Sequence, residues 1–379
     1  MKRLVIDVNS VVRYYVIGYE RGVGRTTREL IASLDKYCEQ LPFEVMLYSQ
    51  NMKGIGARNL KTRFLTKHLY MPHRPKYDKI VQKLHLKELL TGYDLIHIPH
   101  NIDLINYPER CILTIHDAMF MRIPEQSIEF GDFGAIIPPI ARKCKHIFTC
   151  SESSKRDIVE TMGVAPEKIS VVYWGINHDM FRVLPDKEQI KSSLAEKFNI
   201  NTPYYFGVSC NPGRKRMDKL VHAYIETFRK QPLAHDLVLA WRNTPQYVID
   251  EVRAANDVNE HIHISTNVND EDLVKLYNCA TVTFFPSMYE GFGLPIIESM
   301  ACGTPVVTCH NSCLDEIAGD AGIYLDEPIE DNFEQMLRSL EDADLSEYIS
   351  KGLERAKMFT WENAAKKYVE VYSKLLENE

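Results

Sequence analysis

Short apolar segments rich in valine, isoleucine and leucine recur along the chain, and stretches with helical periodicity separate them. Segments of this kind are typical of parallel strands, because helices cover both faces of such a sheet. In the first half of the chain we predict strands at Leu4–Val8, Glu44–Tyr48, Asp94–Ile98, Ile112–Ile115, His146–Cys150 and Ser170–Val172. A second series comprises Tyr204–Val208, Asp236–Ala240, His261–Ile264, Val282–Phe285, Val306–Thr308 and Gly322–Leu325. The alternation predicts an α/β fold with two Rossmann-like domains.

The predicted domain boundary lies in a polar, charged stretch between the two series, at 184–201. We expect a first domain at 1–185, a second at 186–360, and a C-terminal helix at 361–379 that crosses back to the first domain. The other predicted helices include Arg25–Cys38, Ser153–Met162, Met217–Arg229, Asp270–Cys279 and Leu294–Cys302. Two facing domains of this kind hold a ligand in the cleft between them, at the carboxyl ends of both sheets, so the loops after the strands should carry the functional residues.

The net charge of −7 argues against nucleic acid as the main partner, but the charge is unevenly distributed. Between residues 58 and 87 a single acid, Asp78, stands against nine basic residues: Arg58, Lys61, Arg63, Lys67, Arg74, Lys76, Lys79, Lys83 and Lys87. Phe64, Tyr70 and Tyr77 lie among them. A basic, aromatic-containing segment on an acidic protein predicts peripheral contact with an anionic membrane face or a lipid phosphate, and a solvated helix face explains it equally well.

Membrane-spanning and secretory segments are not expected. No segment approaches the roughly 18 consecutive apolar residues that a membrane span requires. The N-terminal MKRLVIDVNSVV contains Asp7 and Asn9 within its apolar run, so we interpret it as the first strand instead of a signal peptide. Nine scattered cysteines, including Cys309 and Cys313, lack metal-type pairing and fit a reducing compartment. We therefore expect a cytoplasmic protein, at the inner face of the membrane.

The stretch RGVGRTTREL, at 21–30, has two glycines followed by an arginine, two threonines and a helical pattern. A loop at a helix N-terminus suits an anion, because backbone N–H groups and the helix dipole converge there. It is not a Walker A motif, because Arg25 replaces the lysine and the spacing differs, nor a dinucleotide fingerprint, because Thr27 replaces the third glycine. Taken alone, Gly22 and Gly24 fit an anion-binding loop and a plain tight turn equally well.

The most specific motif is EGFGLPIIE, at 290–298, followed by SMACGTPVV. Gly291 and Gly293 allow a ligand to approach the backbone, and a helix should begin after them at a proline. Glu290 would then lie in the loop and Glu298 in the first turn of the helix. Carboxylates placed in this way can accept paired hydrogen bonds from sugar or ribose hydroxyls, and the loop N–H groups can hold a diphosphate. The alternative is that Glu298 only stabilises its own helix N-terminus.

This motif closely resembles the E-x7-E signature of the retaining glycosyltransferases of family 4, which have the GT-B fold of two facing Rossmann-like domains. The resemblance spans nearly the whole chain. It includes TIHDAMF at 114–120, CSESSKRDI at 150–158, VVYWGINHDMF at 171–181, GRKRMDKLVHAY at 213–224 and LVKLYNCATVTFFPSMYEGFGLPIIESMACGTPVV at 273–307. It implies transfer of a hexose from a nucleotide sugar to a glycan acceptor in the synthesis of a polysaccharide, O-antigen or lipopolysaccharide.

The resemblance also implies site residues. Catalytic roles fall to His116, Lys215 and Glu290, and donor binding falls to Gly22, Gly24, Arg214, Lys215, Gly291, Phe292, Gly293, Leu294 and Glu298. Glu298 would bind the ribose hydroxyls, Lys215 would neutralise the diphosphate, and His116 would lie beside the donor sugar. His97 and His100, which also follow a strand, are expected to line the cleft or contact the acceptor.

One position departs from the family pattern. The family usually has an arginine shortly before the lysine, where this chain has Ser209 and Cys210, so Arg214 or Arg216 is expected to supply the missing cation. Cations and helix N-termini can stabilise a departing diphosphate without a metal ion, and we assign no metal to the acidic stretch 342–344.

GDP-mannose is the favoured donor, because the PHN and TIHD segments look like those of mannosyltransferases in polysaccharide pathways, and UDP-hexoses are the alternative. The acceptor is expected to be a glycan on a lipid diphosphate. Two other functions stay open, a sugar-nucleotide epimerase or phosphorylase of the same fold and a catalytically silent nucleotide-binding partner. An epimerase would turn over the donor without an acceptor, and a silent partner would release no diphosphate with any acceptor.

Overall fold

The computed structural model describes residues 1–12, 15, 22–100, 105–123, 133–209 and 213–377. The chain forms two compact units, of which the first comprises Met1–Gly175 with Trp361–Glu379 and the second comprises Ile176–Thr360. Residues 176–185 therefore lie in the second unit, although the first was expected. The backbone explains this difference, because the N–H of Leu184 donates to the Asn278 side chain of the second unit at 2.8 Å.

The first unit is built on seven parallel strands, and its sheet positions the N-terminal site residues. The strands are β1 (Arg3–Asp7), β2 (Glu44–Gln50), β3 (Leu65–Leu69), β4 (Leu95–Ile98), β5 (Cys111–Thr114), β6 (His146–Thr149) and β7 (Ile169–Val171). Their order in the sheet is β3-β2-β1-β4-β5-β6-β7. Every residue of β4, β5 and β6 is buried, as expected for strands covered by helices on both faces.

The described helices of the N-terminal part of this unit are α1 (Gly22–Lys36), α2 (Pro75–Lys83), α3 (Leu86–Thr91), α4 (Met119–Arg122), α5 (Phe133–Lys143) and α6 (Glu152–Met162). Helix α6 shows how the sequence sets its ends. The Ser151 hydroxyl accepts a hydrogen bond from the N–H of Ser154 at 3.1 Å, and Gly163 ends the helix in a left-handed conformation.

The C-terminal helix, Trp361–Glu377, packs within the first unit. Its Tyr368 and Tyr372 rings lie against Phe148 of β6, with ring centroids 4.5 and 5.6 Å apart. The Tyr372 hydroxyl forms a 2.6 Å hydrogen bond with Nδ1 of His97. Burial lowers the pKa of His97 to about 3, so its ring is neutral. His97 is thus a core residue beneath the C-terminal helix, and the expectation that it lines the cleft is wrong.

The second unit is built on six parallel strands, which are β8 (Tyr204–Ser209), β9 (Asp236–Trp241), β10 (Ile262–Ser265), β11 (Val282–Phe284), β12 (Val306–Cys309) and β13 (Gly322–Leu325). Their order is β10-β9-β8-β11-β12-β13. The helices are α7 (Lys187–Phe198), α8 (Met217–Lys230), α9 (Gln246–Ala254), α10 (Asp270–Cys279), α11 (Leu294–Ala301), α12 (Leu314–Ala318), α13 (Glu330–Leu340) and α14 (Ser346–Ala356). Both units are therefore Rossmann-like, and the C-terminal helix of the first unit is α15.

The basic segment 58–87 is not one solvated helix face, which was one of the two explanations given for its charge. It contains the edge strand β3, the helix α2 and the start of α3. Strand β3 escaped prediction because its sequence, LTKHL, has no apolar run and only His68 in it is buried. Exposed charges such as Lys67 are usual on edge strands, because they discourage pairing with another chain. No helix in the described part of the chain combines the length and the apolar composition needed to cross a bilayer.

Candidate functional site

Two loops in the second unit carry most of the predicted donor-binding residues. Strands β8 and β11 are neighbours in the sheet, so the loops at their carboxyl ends emerge side by side. The first loop contains Arg214 and Lys215, and the second runs from Phe285 to Gly293. A 3.0 Å hydrogen bond from the N–H of Met288 to the carbonyl of Arg214 joins them.

Gly293 ends the second loop and leads directly into α11. Its φ of +96° lies in the left-handed region, which side chains disfavour. An added Cβ would also come within 3.3 Å of a methyl carbon of Ile296 and 3.4 Å of one of Leu314. Only glycine therefore fits this turn, and the N-terminus of α11, where the helix dipole favours an anion, follows it directly.

Glu290 is the centre of the charged contacts in these loops. Its Oε1 accepts hydrogen bonds from Nη1 of Arg214 at 2.6 Å and from the Ser287 hydroxyl at 2.7 Å, and Nζ of Lys215 lies 3.0 Å away. Burial by itself would raise the pKa of the Glu290 carboxyl, but the charges of Lys215 and Arg214 outweigh it and hold that pKa below its ordinary value. Glu290 is therefore ionised at neutral pH.

The two cations are themselves largely buried. The side chains of Arg214 and Lys215 are 12% and 10% exposed, so their charges act in a medium that screens them less than water does. Nζ of Lys215 lies 4.3 Å above the centre of the Phe285 ring, a cation–π contact. Arg214 also donates to the carbonyl of Tyr289. These contacts fix both cations beside the turn that precedes α11.

The arrangement distinguishes between the two arginines proposed to replace the missing cation. Arg214 contacts Glu290, whereas Nε of Arg216 contacts the Met288 sulfur at 2.9 Å in an exposed setting. Arg216 has a φ of +54° and precedes α8 as its N-cap residue. Ser209 ends β8, and Cys210 lies outside the described residues. Arg214 is therefore the arginine that lies with Lys215.

A third loop, after β12, supports the Glu290 loop from behind and was not anticipated. The hydroxyl of Ser312 accepts the N–H of Glu290 at 2.9 Å. The Cys313 thiol lies 3.2 Å from the carbonyl oxygens of Glu290 and Phe292 and donates to them. The CHNSC stretch thus fixes the shape of the donor loop. The sequence position of this stretch could have indicated its role, because it follows β12, which is the neighbour of β11 in the sheet.

Glu298 lies in α11, with 3% of its surface exposed. It is the fifth residue of the helix, in the second turn and not in the first turn as expected, so stabilisation of the helix N-terminus does not explain it. The hydroxyl of Tyr277, a buried residue of α10, donates to its Oε2 at 3.3 Å. Phe292 is also buried, and its ring packs on Phe359 at 5.8 Å, which leaves only its backbone for a ligand.

In the first unit, His116 follows β5 and is 7% exposed. Its Nε2 lies 3.1 Å from the carbonyl of Pro99, and because a carbonyl only accepts, Nε2 carries the proton. Burial lowers the pKa of His116 to about 4, so the ring is neutral and its Nδ1 is an acceptor. The neighbouring Asp117 accepts the N–H of Met119 at 2.9 Å and so stabilises the start of α4.

Gly22 and Gly24 lie inside α1, whose described part already includes Gly22, so the helix starts earlier than the expected Arg25. Neither glycine has a positive φ, so the conformational freedom of glycine is not what these positions use. The next turn of α1 supplies Thr26 and Thr27, which border a small cavity together with His116 and Trp174. The start of α1 and His116 are thus close together, while Arg21 lies outside the described residues.

Comparison with known proteins agrees with this geometry. A family model described as "Glycosyltransferase Family 4" matches residues 21–180, and one described as "Glycosyl transferases group 1" matches residues 208–355. The O-antigen chain mannosyltransferase B of Escherichia coli is 28% identical over 290 residues, which are 74% of this chain and 72% of that protein. The serotype-specific mannosyltransferase WbdA of Escherichia coli is 24% identical over 281 residues, which are 72% of this chain but 34% of WbdA.

Among solved structures, HepE from Anabaena, in complex with UDP and glucose, matches with a TM-score of 0.72 at 17% identity, over 99% of this chain and 100% of HepE. At that identity the likeness shows a shared fold. The two matched models cover the loops of both units in which the predicted site residues lie. The chain is thus a glycosyltransferase of family 4, and its two Rossmann-like units are those of the GT-B fold.

Proposed function

We propose that this chain transfers a hexose, with mannose favoured, from a nucleotide sugar to a glycan acceptor, with retention of configuration and without a metal ion. The observation that carries the proposal is the convergence of Arg214 and Lys215 on one oxygen of Glu290, in loops at the carboxyl ends of neighbouring strands. Two largely buried cations beside a helix N-terminus form a site of the kind that a diphosphate requires.

Glu290 is an anionic partner that both cations share, and its single charge leaves the three groups with a net positive charge. A bound diphosphate offers Arg214 and Lys215 a second anionic partner, and this frees the Glu290 carboxylate to accept hydrogen bonds from the donor sugar. When the bond between the anomeric carbon and the diphosphate breaks, its electron pair stays on the diphosphate oxygen. The two cations and the N-terminus of α11 stabilise that developing charge. The acceptor hydroxyl attacks the anomeric carbon from the same face and passes its proton to the departing diphosphate oxygen.

The remaining contacts to the donor follow from burial and hydrogen-bonding capacity. Glu298 is proposed to bind the ribose hydroxyls, with Tyr277 holding its carboxylate in place. His116 is proposed to accept a hydrogen bond from a sugar hydroxyl through Nδ1, because a neutral ring cannot act as a cation for the diphosphate. Gly22 and Gly24 are proposed to contribute backbone contacts to the same donor.

The choice of mannose is supported by the relatives, which are named mannosyltransferases. GDP-mannose is therefore the first donor to test, and a UDP-hexose is the second. The names of the relatives also support a place in O-antigen assembly, and we propose a glycan carried on a lipid diphosphate as the acceptor.

The experiment combines donor binding with transfer. Thermal shifts with GDP-mannose, UDP-glucose, ADP-glucose and dTDP-glucose should be largest for GDP-mannose. Arg214→Ala and Lys215→Ala should each weaken binding of that donor about 10–100-fold, because each removes a charged hydrogen bond to the diphosphate. Arg216→Ala removes the same charge from the neighbouring exposed position and should leave the affinity unchanged.

Transfer is measured as release of nucleoside diphosphate in the presence of a lipid-linked glycan extract. Lys215→Ala and Glu298→Ala should abolish release while their circular dichroism stays that of the wild type. Near-normal release by either variant would refute the site assignment. Conversion of the donor without any acceptor would identify the epimerase instead.

A further inference from the structure

We propose that α2 docks the first unit on an anionic lipid surface, with Tyr77, Ile80 and Leu84 entering the interfacial layer and three lysines contacting the headgroups. The lipid contact itself does not depend on the identity of the donor. It rests on the proposed function only in one respect, namely that a lipid-linked acceptor gives the contact its purpose.

Two basic residues of the segment 58–87 already have partners within their own unit. Lys87 is 8% exposed, and its Nζ lies 3.4 Å from the buried carboxylate of Asp7. Arg63 pairs with Asp35 and Glu39 of the same unit. The number of basic residues in the segment is therefore larger than the number of cations that can contact a partner.

Helix α2 retains its charges. Lys76, Lys79 and Lys83 are exposed, and no ion pair in the described parts of the chain involves any of them. With 3.6 residues per turn, they lie within about 60° of one another on the helix surface. They form one basic stripe along the whole of α2.

A second stripe on the same helix is apolar and also exposed. Tyr77 and Ile80 of α2 and Leu84, its C-cap residue, are 36%, 39% and 54% exposed, and their spacing again places them within about 60° of one another. They belong to a local concentration of exposed apolar residues between positions 52 and 89, which consists of Met52, Leu65, Tyr70, Tyr77, Ile80, Leu84 and Leu89. Apolar side chains that share one exposed face, as Tyr77, Ile80 and Leu84 do, mark a contact surface, whereas single ones do not.

The third side of α2 holds the helix against its own unit. Val81 is 4% exposed, and Asp78 and Gln82 line a small cavity with it. The Asp78 carboxylate accepts a hydrogen bond from the Gln50 side chain at the end of β2, at 2.8 Å. The helix is therefore fixed by one side and presents an apolar stripe and a basic stripe on the others.

This combination fits a lipid surface better than a protein partner. In an interfacial helix the apolar stripe enters the headgroup layer while flanking lysines extend their charged ends to the phosphates. A second copy of this chain would bring the same lysines together, and the like charges would oppose association. Tyrosine at the edge of the stripe suits the headgroup level, because its ring is apolar and its hydroxyl is polar.

Co-sedimentation of the full chain with vesicles tests the proposal without any donor or acceptor. Vesicles of phosphatidylcholine with phosphatidylglycerol should bind the chain, and vesicles of phosphatidylcholine alone should bind it weakly. Because each lysine near an anionic surface contributes roughly fivefold in partitioning, the Lys76→Gln, Lys79→Gln, Lys83→Gln triple variant should partition about 100-fold more weakly. The Ile80→Ser, Leu84→Ser variant should lose at least about tenfold.

Two matched controls come from the second unit. The Lys191→Gln, Lys230→Gln, Lys357→Gln variant changes the net charge by as much as the triple lysine variant of α2. The Ile329→Ser, Ile349→Ser variant replaces two exposed apolar side chains, as the double variant of α2 does. Both controls should bind vesicles like the wild type. Equal loss in the lysine control would overturn the proposal, because binding would then reflect net charge only. Unchanged binding by the Ile80→Ser, Leu84→Ser variant would overturn the insertion of the apolar stripe.

The donor-induced thermal shift separates this proposal from the proposed function. Variants of α2 should keep the wild-type shift with GDP-mannose, because none of the residues proposed to bind the donor lies on α2. Indifference of the wild-type chain to lipid charge, together with capture of a protein by the same surface, would assign α2 to a protein partner and overturn the lipid proposal.

Discussion

Replacement of Glu290 by glutamine should destabilise the empty protein and strengthen its binding of a nucleoside diphosphate. The substitution keeps the shape of the side chain and removes its charge. Arg214 and Lys215, whose side chains are 12% and 10% exposed, would then face each other without the carboxylate that now separates them. A bound diphosphate supplies the missing negative charge, so the stability of the variant should depend on that ligand.

The size of the effect follows from the burial of the three groups. Loss of one partner from a buried ion pair costs about 3–5 kcal/mol, and the low end, about 3 kcal/mol, applies here because some solvent reaches all three side chains. For a unit of this size, that loss lowers the Tm by about 6–12 °C. If the diphosphate replaces the carboxylate fully, the same free energy returns on binding and tightens the Kd for GDP by up to about 100-fold.

Calorimetry with and without GDP measures both quantities. Ionised Glu290 has a pKa below its ordinary value of 4.5, so its contribution is complete at neutral pH and is lost as the pH falls through that lowered pKa. The difference in unfolding free energy between wild type and Glu290→Gln should therefore be at its full size at neutral pH and should disappear only in acid.

Glu330→Gln is the matched control, because its carboxylate pairs with Lys219 on the surface, where both side chains are about 40% exposed. It should change the stability by less than about 1 kcal/mol and leave the response to GDP unaltered. A Glu290→Gln variant with wild-type stability, or one that GDP stabilises no more than the wild type, would refute the account of the site.

Three further outcomes follow from single contacts. Ser312→Gly keeps the left-handed backbone but removes the hydroxyl that accepts the loop N–H, so kcat/KM should fall about tenfold with little change in Tm; equal kcat/KM would show that the loop needs no such support. Lys87→Ala should lower the free energy of urea unfolding by about 3 kcal/mol, because it leaves a buried carboxylate unpaired, while exposed Lys83→Ala should change it by less than about 0.5 kcal/mol. Gly293→Ala should cost at least about 1–2 kcal/mol in the same measurement, and Gly22→Ala should be close to neutral because no atom of the described residues lies within 4 Å of its Cβ position; equal costs would contradict the role of the left-handed turn.

The parallel sheets could be predicted from the sequence because their strands are buried on both faces and so consist of continuous apolar runs. Strand β3 could not, because an edge strand needs polar and charged residues and therefore lacks that signal. The start of α6 could also be predicted, because Ser151 is a typical N-cap residue.

The residues of the site likewise divide into those that the sequence predicts and those that it does not. The charged and glycine residues of the donor loop could be located from their spacing, because the chemistry of a sugar diphosphate requires those residue types. Their supports, Tyr277 for Glu298 and Ser312 for Glu290, lie about twenty residues away in the sequence and reach their partners only through the order of strands in the sheet. A hydroxyl in a loop has no sequence signature that names its partner, so only the folded chain identifies these residues.

The return of α15 to the first unit has a consequence for synthesis on the ribosome. The second unit, Ile176–Thr360, is an uninterrupted stretch whose two ends meet, since the N–H of Ile176 donates to the carbonyl of Phe359 at 3.2 Å. The first unit must wait for α15, and at about 5–20 residues per second the intervening stretch takes on the order of 10–40 s. During that interval Phe148 and its neighbours in the nascent first unit lack their cover. The half-made first unit is therefore the species that a chaperone would protect, while the later-made unit can already be folded.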